Sequence, residues 1–394
     1  MSLWNRYFSI GSGVHEIQQI LGYGLLGMSL VGVAYLVVAA WAVAGFARER
    51  SRCPAPDRRP PVTILKPVCG DEPGLYENLL SFCTQDYPQV QVLFGVRDPK
   101  DTAVATVRRI QATLPEADIS LVVDPRLHGA NYKVSNLINM MAVARHPILV
   151  VADSDMHVGM GYLDAVVAAL LSPGVGAVTC LYTGRSTGNL WSTLGAAWIN
   201  IGFLPSVLVG RIVGGVDGCF GATMALERTR LEEIGGFEAL KDHLADDYAL
   251  GVAVRRLGLK VVLAPCIPDH LVTESDGREL FLHELRWSRT IAAIAPVSFA
   301  ASVVTHPVVL CILALAFLGF SPLALTVLAV ALGGRFITQR WICRTLGLER
   351  FPAWLIVPRD ILSFVTLVGA FSGRSVTWRG REFRIGRDGL LLPK

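Results

Sequence analysis

The chain has 394 residues, enough for one catalytic domain with membrane segments beside it. Hydrophobic residues make up 52% and charged residues only 17%, against about a quarter charged in soluble domains, which argues against a wholly soluble globular protein. A formal net charge of +4 is too small to signal nucleic-acid binding, and eight cysteines without a C-x-x-C pair exclude the usual zinc and disulfide frameworks and fit a reducing compartment.

Residues 20–46 are apolar and carry no charge, and about 20 such residues span a bilayer. We read 1–18 as an N-terminal segment and 19–47 as a transmembrane anchor. Arg48, Arg50 and Arg52, then Arg58 and Arg59, follow the apolar run instead of preceding it. That order describes an uncleaved anchor with the next domain in the cytoplasm, not a secretory signal.

From 61 to 297, β-rich runs at 62–65, 90–95, 119–123, 148–152, 175–179 and 261–264 alternate with helical patterns such as 101–113 and 132–144. The alternation predicts an α/β domain with a mainly parallel sheet, its ligand beyond the carboxyl ends of the strands. Within it, 194–213 is apolar and contains Pro205, which suits either an acceptor-side interfacial element or a buried core helix.

Residues 298–373 read as C-terminal membrane segments. Two spans, 298–320 and 323–342, are separated by Ser321-Pro322, and a third stretch, 352–371, is broken by Pro358-Arg359-Asp360. A charged pair at mid-membrane is costly, so the third stretch is expected to be interfacial or re-entrant. Arg335, Arg340, Arg344 and Arg350 place its approach on the cytoplasmic side. Arg374, Arg379, Arg381, Arg384 and Arg387 do the same for the basic tail 374–394.

Four polar patterns carry chemistry. The strand at 148–152 runs into Asp153-Ser154-Asp155. Strand alternation turns both carboxylates to one side, where Mg²⁺ or Mn²⁺ binds one or two carboxylates plus phosphates. Asp98 follows another strand and suits a base or ribose. Asp246-Asp247 precede a helical run at 250–257; adjacent carboxylates repel, which raises one pKa and suits a general base, although a helix N-cap reads similarly. In His283-Glu284-Leu285-Arg286-Trp287, the guanidinium can clamp a phosphate and the indole can wall a sugar, or the segment is an amphipathic helix at the membrane surface.

Taken in order, these residues resemble the D, D, D, (Q/R)xxRW series of family-2-like inverting glycosyltransferases. The resemblance is closer to ceramide glucosyltransferases, through Leu65-Lys66-Pro67, Gln85-Asp86-Tyr87-Pro88, the run Asn131-Tyr132-Lys133-Val134-Ser135-Asn136-Leu137, Asp246-Asp247-Tyr248 and Trp378-Arg379-Gly380-Arg381. Among bacterial relatives the chain looks similar to hopanoid-biosynthesis-associated glycosyltransferases. The resemblance implies a GT-A nucleotide-sugar-binding fold, a UDP-sugar donor (N-acetylglucosamine or glucose) and a divalent Mg²⁺ or Mn²⁺. It also implies a membrane-lipid acceptor, a hopanoid polyol first and ceramide second, reached from the cytoplasmic face of the inner membrane. Asp247 is then the catalytic base and Asp155 the metal ligand, with Lys66, Asp98, Lys133, Asp153, His283, Arg286 and Trp287 binding the donor. His283 departs from the Gln or Arg of the series and brings a charge that ordinarily varies near neutral pH. A processive polysaccharide synthase shares the aspartates and the last motif, but two spans and one broken segment are few for a polymer channel.

Overall fold

The computed structural model describes residues 3–52, 56–214, 218–373, 375–378, 381–386 and 389–393. The backbone divides into two compact units, residues 45–280 with 374–394, and residues 1–44 with 281–373.

The first unit contains β1 (Val62–Pro67), β2 (Val90–Val96), β3 (Asp118–Val123), β4 (Ile148–Val151), β5 (Met156–His157), β6 (Val175–Thr179), β7 (Thr183–Ser186), β8 (Met224–Glu227), β9 (Lys260–Leu263), β10 (Asp269–Val272), β11 (Ser375–Trp378), β12 (Arg381–Ile385) and β13 (Leu391–Pro393). Seven build one sheet in the order β3-β2-β1-β4-β8-β6-β9. β8 runs antiparallel to both its neighbours, and the other pairings are parallel. The six strands expected from the sequence are all in this sheet. β8 is the addition: Met-Ala-Leu-Glu has no β-branched residue, and it is a strand because it fills the slot between β4 and β6, with Ala225 opposite both Val150 and Val178.

Both faces of the sheet are covered. Val62, Ile64, Val92, Phe94 and Val150 pack with Leu79 and Val107 of the helices Leu75–Cys83 and Ala103–Thr113. On the other face Leu65, Leu93, Leu149, Val151 and Met224 pack with Val134 and Leu137 of Tyr132–Met141 and Leu250 of Asp246–Arg256. Burial on two sides explains why these strands are continuously apolar instead of alternating. The carboxyl ends of β1 and β4 lie side by side, Leu65 opposite Val151, with Lys66 near the end of β1 and Asp153 in the turn that follows β4. A small sheet, β5-β10-β7, and an antiparallel sheet, β11-β12-β13, complete the unit. The tail expected from its basic residues is therefore folded where it is described; Arg374, Arg379, Gly380 and Arg387 lie outside the described residues, as does Cys53.

The second unit is helical: most of Leu3–Ser51, then Pro296–Ala301, Pro307–Leu318, Pro322–Leu346 and Ile356–Ala370. Residues 3–18 continue the anchor helix and form no separate segment. Among the described residues, His15–Ser51, Leu190–Val213, Pro322–Leu346 and Ala353–Ala370 are long and apolar enough to cross a membrane. The stretch expected as one span at 298–320 is instead a pair, Pro296–Thr305 and Pro307–Leu318, bent by 72°. The break falls at His306 because Pro307 disfavours helical geometry in the residue before it and lacks the amide to continue the ladder.

The expected break at Pro358 does not occur. Ile356–Ala370 runs through it, since a proline in the first turn removes an amide with no intrahelical acceptor. The charges beside it are neutralised within the unit. Arg359 donates to both oxygens of Glu284 at 2.7 and 2.6 Å. Arg335 donates to Asp360 at 2.6 Å and to the Thr305 carbonyl at 3.2 Å. All four side chains are buried. Removing one partner strands a buried charge, so Glu284→Gln is expected to destabilise this unit by about 3–5 kcal/mol. A lower midpoint of thermal unfolding in detergent reads the loss, and the exchanged pair Glu284→Arg with Arg359→Glu is expected to recover part of it.

Candidate active site

Lys133 stands in the first turn of Tyr132–Met141, a helix capped by Asn131, whose Oδ1 accepts from the Val134 amide at 3.1 Å. The cap side chain also donates to the His243 carbonyl at 2.8 Å and to Asp246 Oδ1 at 3.2 Å. The Lys133 ammonium lies 2.8 Å from Asp153 and 3.3 Å from Asp246. One cation therefore ties the acidic pair after β4 to the acidic pair some ninety residues downstream. Burial works against its charge, but Asp153, Asp246 and Asp247 outweigh it and hold the ammonium above its ordinary pKa.

Asp246 and Asp247 open the helix Asp246–Arg256. Asp246 is buried and Asp247 half-buried, and Asp247 Oδ1 accepts from the Tyr248 amide at 2.8 Å. Burial, then the Asp246 charge, push the Asp247 carboxyl up to about 7 against the pull of Lys133. Glycines let this loop close. A side chain at Gly218 meets Tyr248, and one at Gly221 meets Asp153.

β4 ends at Val151, so Asp153 and Asp155 sit in the turn beyond it, not on the strand. Strand alternation therefore does not aim them, and their partners differ: Asp153 meets Lys133, and Asp155 meets His270 at 3.4 Å. Burial raises the Asp155 carboxyl, but His270 and then Lys66 overcome it and bring it down to about 2. Asp155 Oδ1 is buried without a hydrogen-bond partner among the described residues. Lys66 is fully buried on β1; its ammonium donates to the Asp153 carbonyl at 2.6 Å and lies over Phe82, and burial pushes its pKa down to about 7.

Sequence reasoning missed His270. A lone histidine in a four-residue strand resembles core, and only the pairing of β10 with β5, His270 opposite Met156, brings it beside the turn that holds Asp155. Asp98 is exposed after β2 and caps its own turn, accepting from the Lys100 amide at 2.9 Å. It is not drawn into the ion-paired cluster, although its neighbour Arg97 stacks over Tyr132 at 4.3 Å, next to Lys133. His283, Arg286 and Trp287 belong to the helix Gly277–Ile294 and to the second unit, where the His283 and Trp287 rings lie 4.1 Å apart, one helical turn along.

The family model described as Glycosyl transferase family 21 matches residues 24–391. Ceramide glucosyltransferase 1 of Caenorhabditis elegans is 26% identical over 258 residues, covering 64% of this chain and 55% of that one. The ceramide glucosyltransferase of Candida albicans is 31% identical over 121 residues, 28% of this chain and 22% of that one. The chain spans about half the length of the two Caenorhabditis elegans relatives it matches. Among solved structures, a mannosyltransferase of Pyrobaculum calidifontis in complex with GDP-Man and Mn²⁺ aligns with a TM-score of 0.50 at 20% identity, covering 88% of this chain and 98% of that one. That likeness shows the fold, a GT-A-type α/β architecture.

Proposed function

The chain belongs to glycosyl transferase family 21, and from that premise we propose that it moves a hexose, glucose or N-acetylglucosamine, from a UDP-sugar to the hydroxyl of a membrane lipid with inversion at the anomeric carbon. The observation that carries this reading is the Lys133-centred cluster, in which Asp247 is pushed up to about 7 beside an ammonium held above its ordinary pKa. A carboxylate poised there takes a proton from an attacking hydroxyl near neutral pH. The hydroxyl oxygen forms its bond to the anomeric carbon as the bond to the UDP oxygen breaks on the opposite face, and its proton passes to Asp247.

Asp153 and Asp98 are assigned to the donor nucleotide, and Lys66, being fully buried, serves the donor by fixing the Asp153 backbone. His283, Arg286 and Trp287 are assigned to the donor on the motif alone. The unsatisfied Asp155 Oδ1 fits a hard cation. Among the described residues no group of three or more His, Cys, Asp or Glu is arranged to hold a metal ion, so Asp155 would leave the remaining ligand positions to diphosphate and water, the habit of Mg²⁺ and Mn²⁺. Such an ion, when bound, supplies charge neutralisation for the departing diphosphate.

The relatives' names favour ceramide over the hopanoid polyol as acceptor, and we place ceramide first. The helical stretch Leu190–Val213, interrupted by a π-helical turn at Ile199–Phe203, is assigned to the acceptor side. Support comes from a run of rings, Phe203 to Tyr182 at 5.0 Å and Tyr182 to His270 at 6.0 Å, that leads from this stretch to the partner of Asp155. Arg48, Arg50 and Arg52 after the anchor favour a catalytic domain on the cytoplasmic face of the inner membrane. Supplying ceramide and a hopanoid polyol in separate vesicles of the same lipid tests the acceptor; label on the hopanoid alone overturns this choice.

The base assignment fixes the sign of the pH dependence. Asp247 acts ionised, so kcat is expected to rise about tenfold per pH unit below about 7 and to level off above it. The rise is expected to persist in His283→Gln. A profile that flattens in that variant moves the pH dependence to His283.

A further inference from the structure

We infer that residues 389–391 clamp the loop that leads into the base-bearing helix, so that Gly389, Leu390 and Leu391 position Asp247. This rests on the assignment of Asp247 made above. The Leu244 amide donates to the Gly389 carbonyl at 2.9 Å, and the Leu391 amide donates to the Asp242 carbonyl at 2.8 Å. Between these bonds His243 and Leu390 form an antiparallel bridge. Residues 242–244 are thus paired with 389–391 across three consecutive positions.

The opposite edge of the same loop is held by the cap of the Lys133 helix. The Asn131 amide donates to the Lys241 carbonyl and its side chain to the His243 carbonyl, both at 2.8 Å, and the Ala130 amide donates to Asp242 Oδ1 at 2.8 Å. Gly129 allows this approach, since a side chain there meets the Lys241 carbonyl and Asp242. One residue, Ala245, separates the clamped loop from Asp246-Asp247. A shift of the loop therefore passes directly to the base. Leu391 and Ile385 are buried, and Gly389 has a φ of 76°, a left-handed turn that favours glycine. The clamp is a seated strand of defined shape.

A substitution that deletes the donating amide tests this pairing. In the full chain, Leu391→Pro deletes the amide that donates to Asp242, whereas Leu391→Ile keeps the amide and the apolar volume. Hydrogen exchange and steady-state kinetics are measured on both. Leu391→Pro is expected to speed exchange over residues 242–247 and to lower kcat about 10–100-fold, the scale of a small misplacement of a reacting group, with an unchanged KM for UDP-sugar; Leu391→Ile should match the parent. Wild-type kcat in Leu391→Pro, or equal losses in both variants, overturns the inference. The base assignment is separable: unchanged exchange at 242–247 in Leu391→Pro removes the clamp whatever Asp247 does, while normal turnover in Asp247→Asn with faster exchange in Leu391→Pro removes only the base.

Discussion

Asp247→Asn is expected to lower kcat for sugar transfer by about 10²–10⁴-fold, the usual contribution of a positioned general base, while UDP-sugar binding survives. The substitution keeps the size of the side chain and the oxygen that accepts from Tyr248, and removes the negative charge and with it the ability to take a proton. Lys133 keeps its contacts to Asp153 and Asp246, so the cluster that joins the two acidic motifs stays closed. Donor affinity by calorimetry beside single-turnover transfer reads the two effects separately. A variant that binds donor and turns over normally would remove Asp247 as base. Lost donor binding would instead place the residue in the donor site.

Asp155→Ala is expected to act on the other half of the reaction. Losing one preorganised charge-stabilising contact costs about 10²–10³-fold in kcat in comparable sites. Here the loss is expected together with weaker, cation-independent binding of UDP-sugar. The prediction rests on the orphaned Oδ1 of Asp155 and on the carboxyl's low pKa, the two observations behind its assignment as metal ligand. Titrating Mn²⁺ in the presence of UDP checks this directly: the parent protein should show cation-dependent UDP affinity and the variant should show none. Equal cation dependence in both would move the metal to another residue.

The fold was readable where local and global preferences agree. β1, β2, β4 and β6 are apolar runs bounded by polar turns, and burial on two faces demands that pattern. β8 was hidden because its Met-Ala-Leu-Glu has helical propensity overridden by its place between two strands. The acidic motifs could be found one by one, yet what joins them could not. Lys133 resembles a donor contact in sequence, and only the fold turns it towards Asp153 and Asp246. His270 depends likewise on pairing between strands more than a hundred residues apart. In the helical unit, a charged pair beside Pro358 argued for a break, since sequence order does not display the partners Glu284 and Arg335 that neutralise it.

Those partners also refine what the third C-terminal stretch can do. With Arg359 and Asp360 each paired inside the unit, their presence no longer weighs against membrane depth, because the cost of an intramembrane charge is mostly that of an unpaired one. Glu284 lies within the same five residues as His283, Arg286 and Trp287, so the ion pair to Arg359 also fixes the rotation of the helix that carries this motif.

The most direct measurement is transfer of radiolabelled sugar by the purified protein in lipid vesicles. UDP-glucose and UDP-N-acetylglucosamine are supplied in turn, ceramide is the acceptor, and a chelator is the control. Label entering a single lipid product, lost with the chelator and restored by Mg²⁺ or Mn²⁺, is the predicted result, and it names the donor. Label in a ladder of long saccharides would contradict transfer to a membrane lipid, and none in lipid with either donor, from ceramide or from a hopanoid polyol supplied in its place, would contradict it equally.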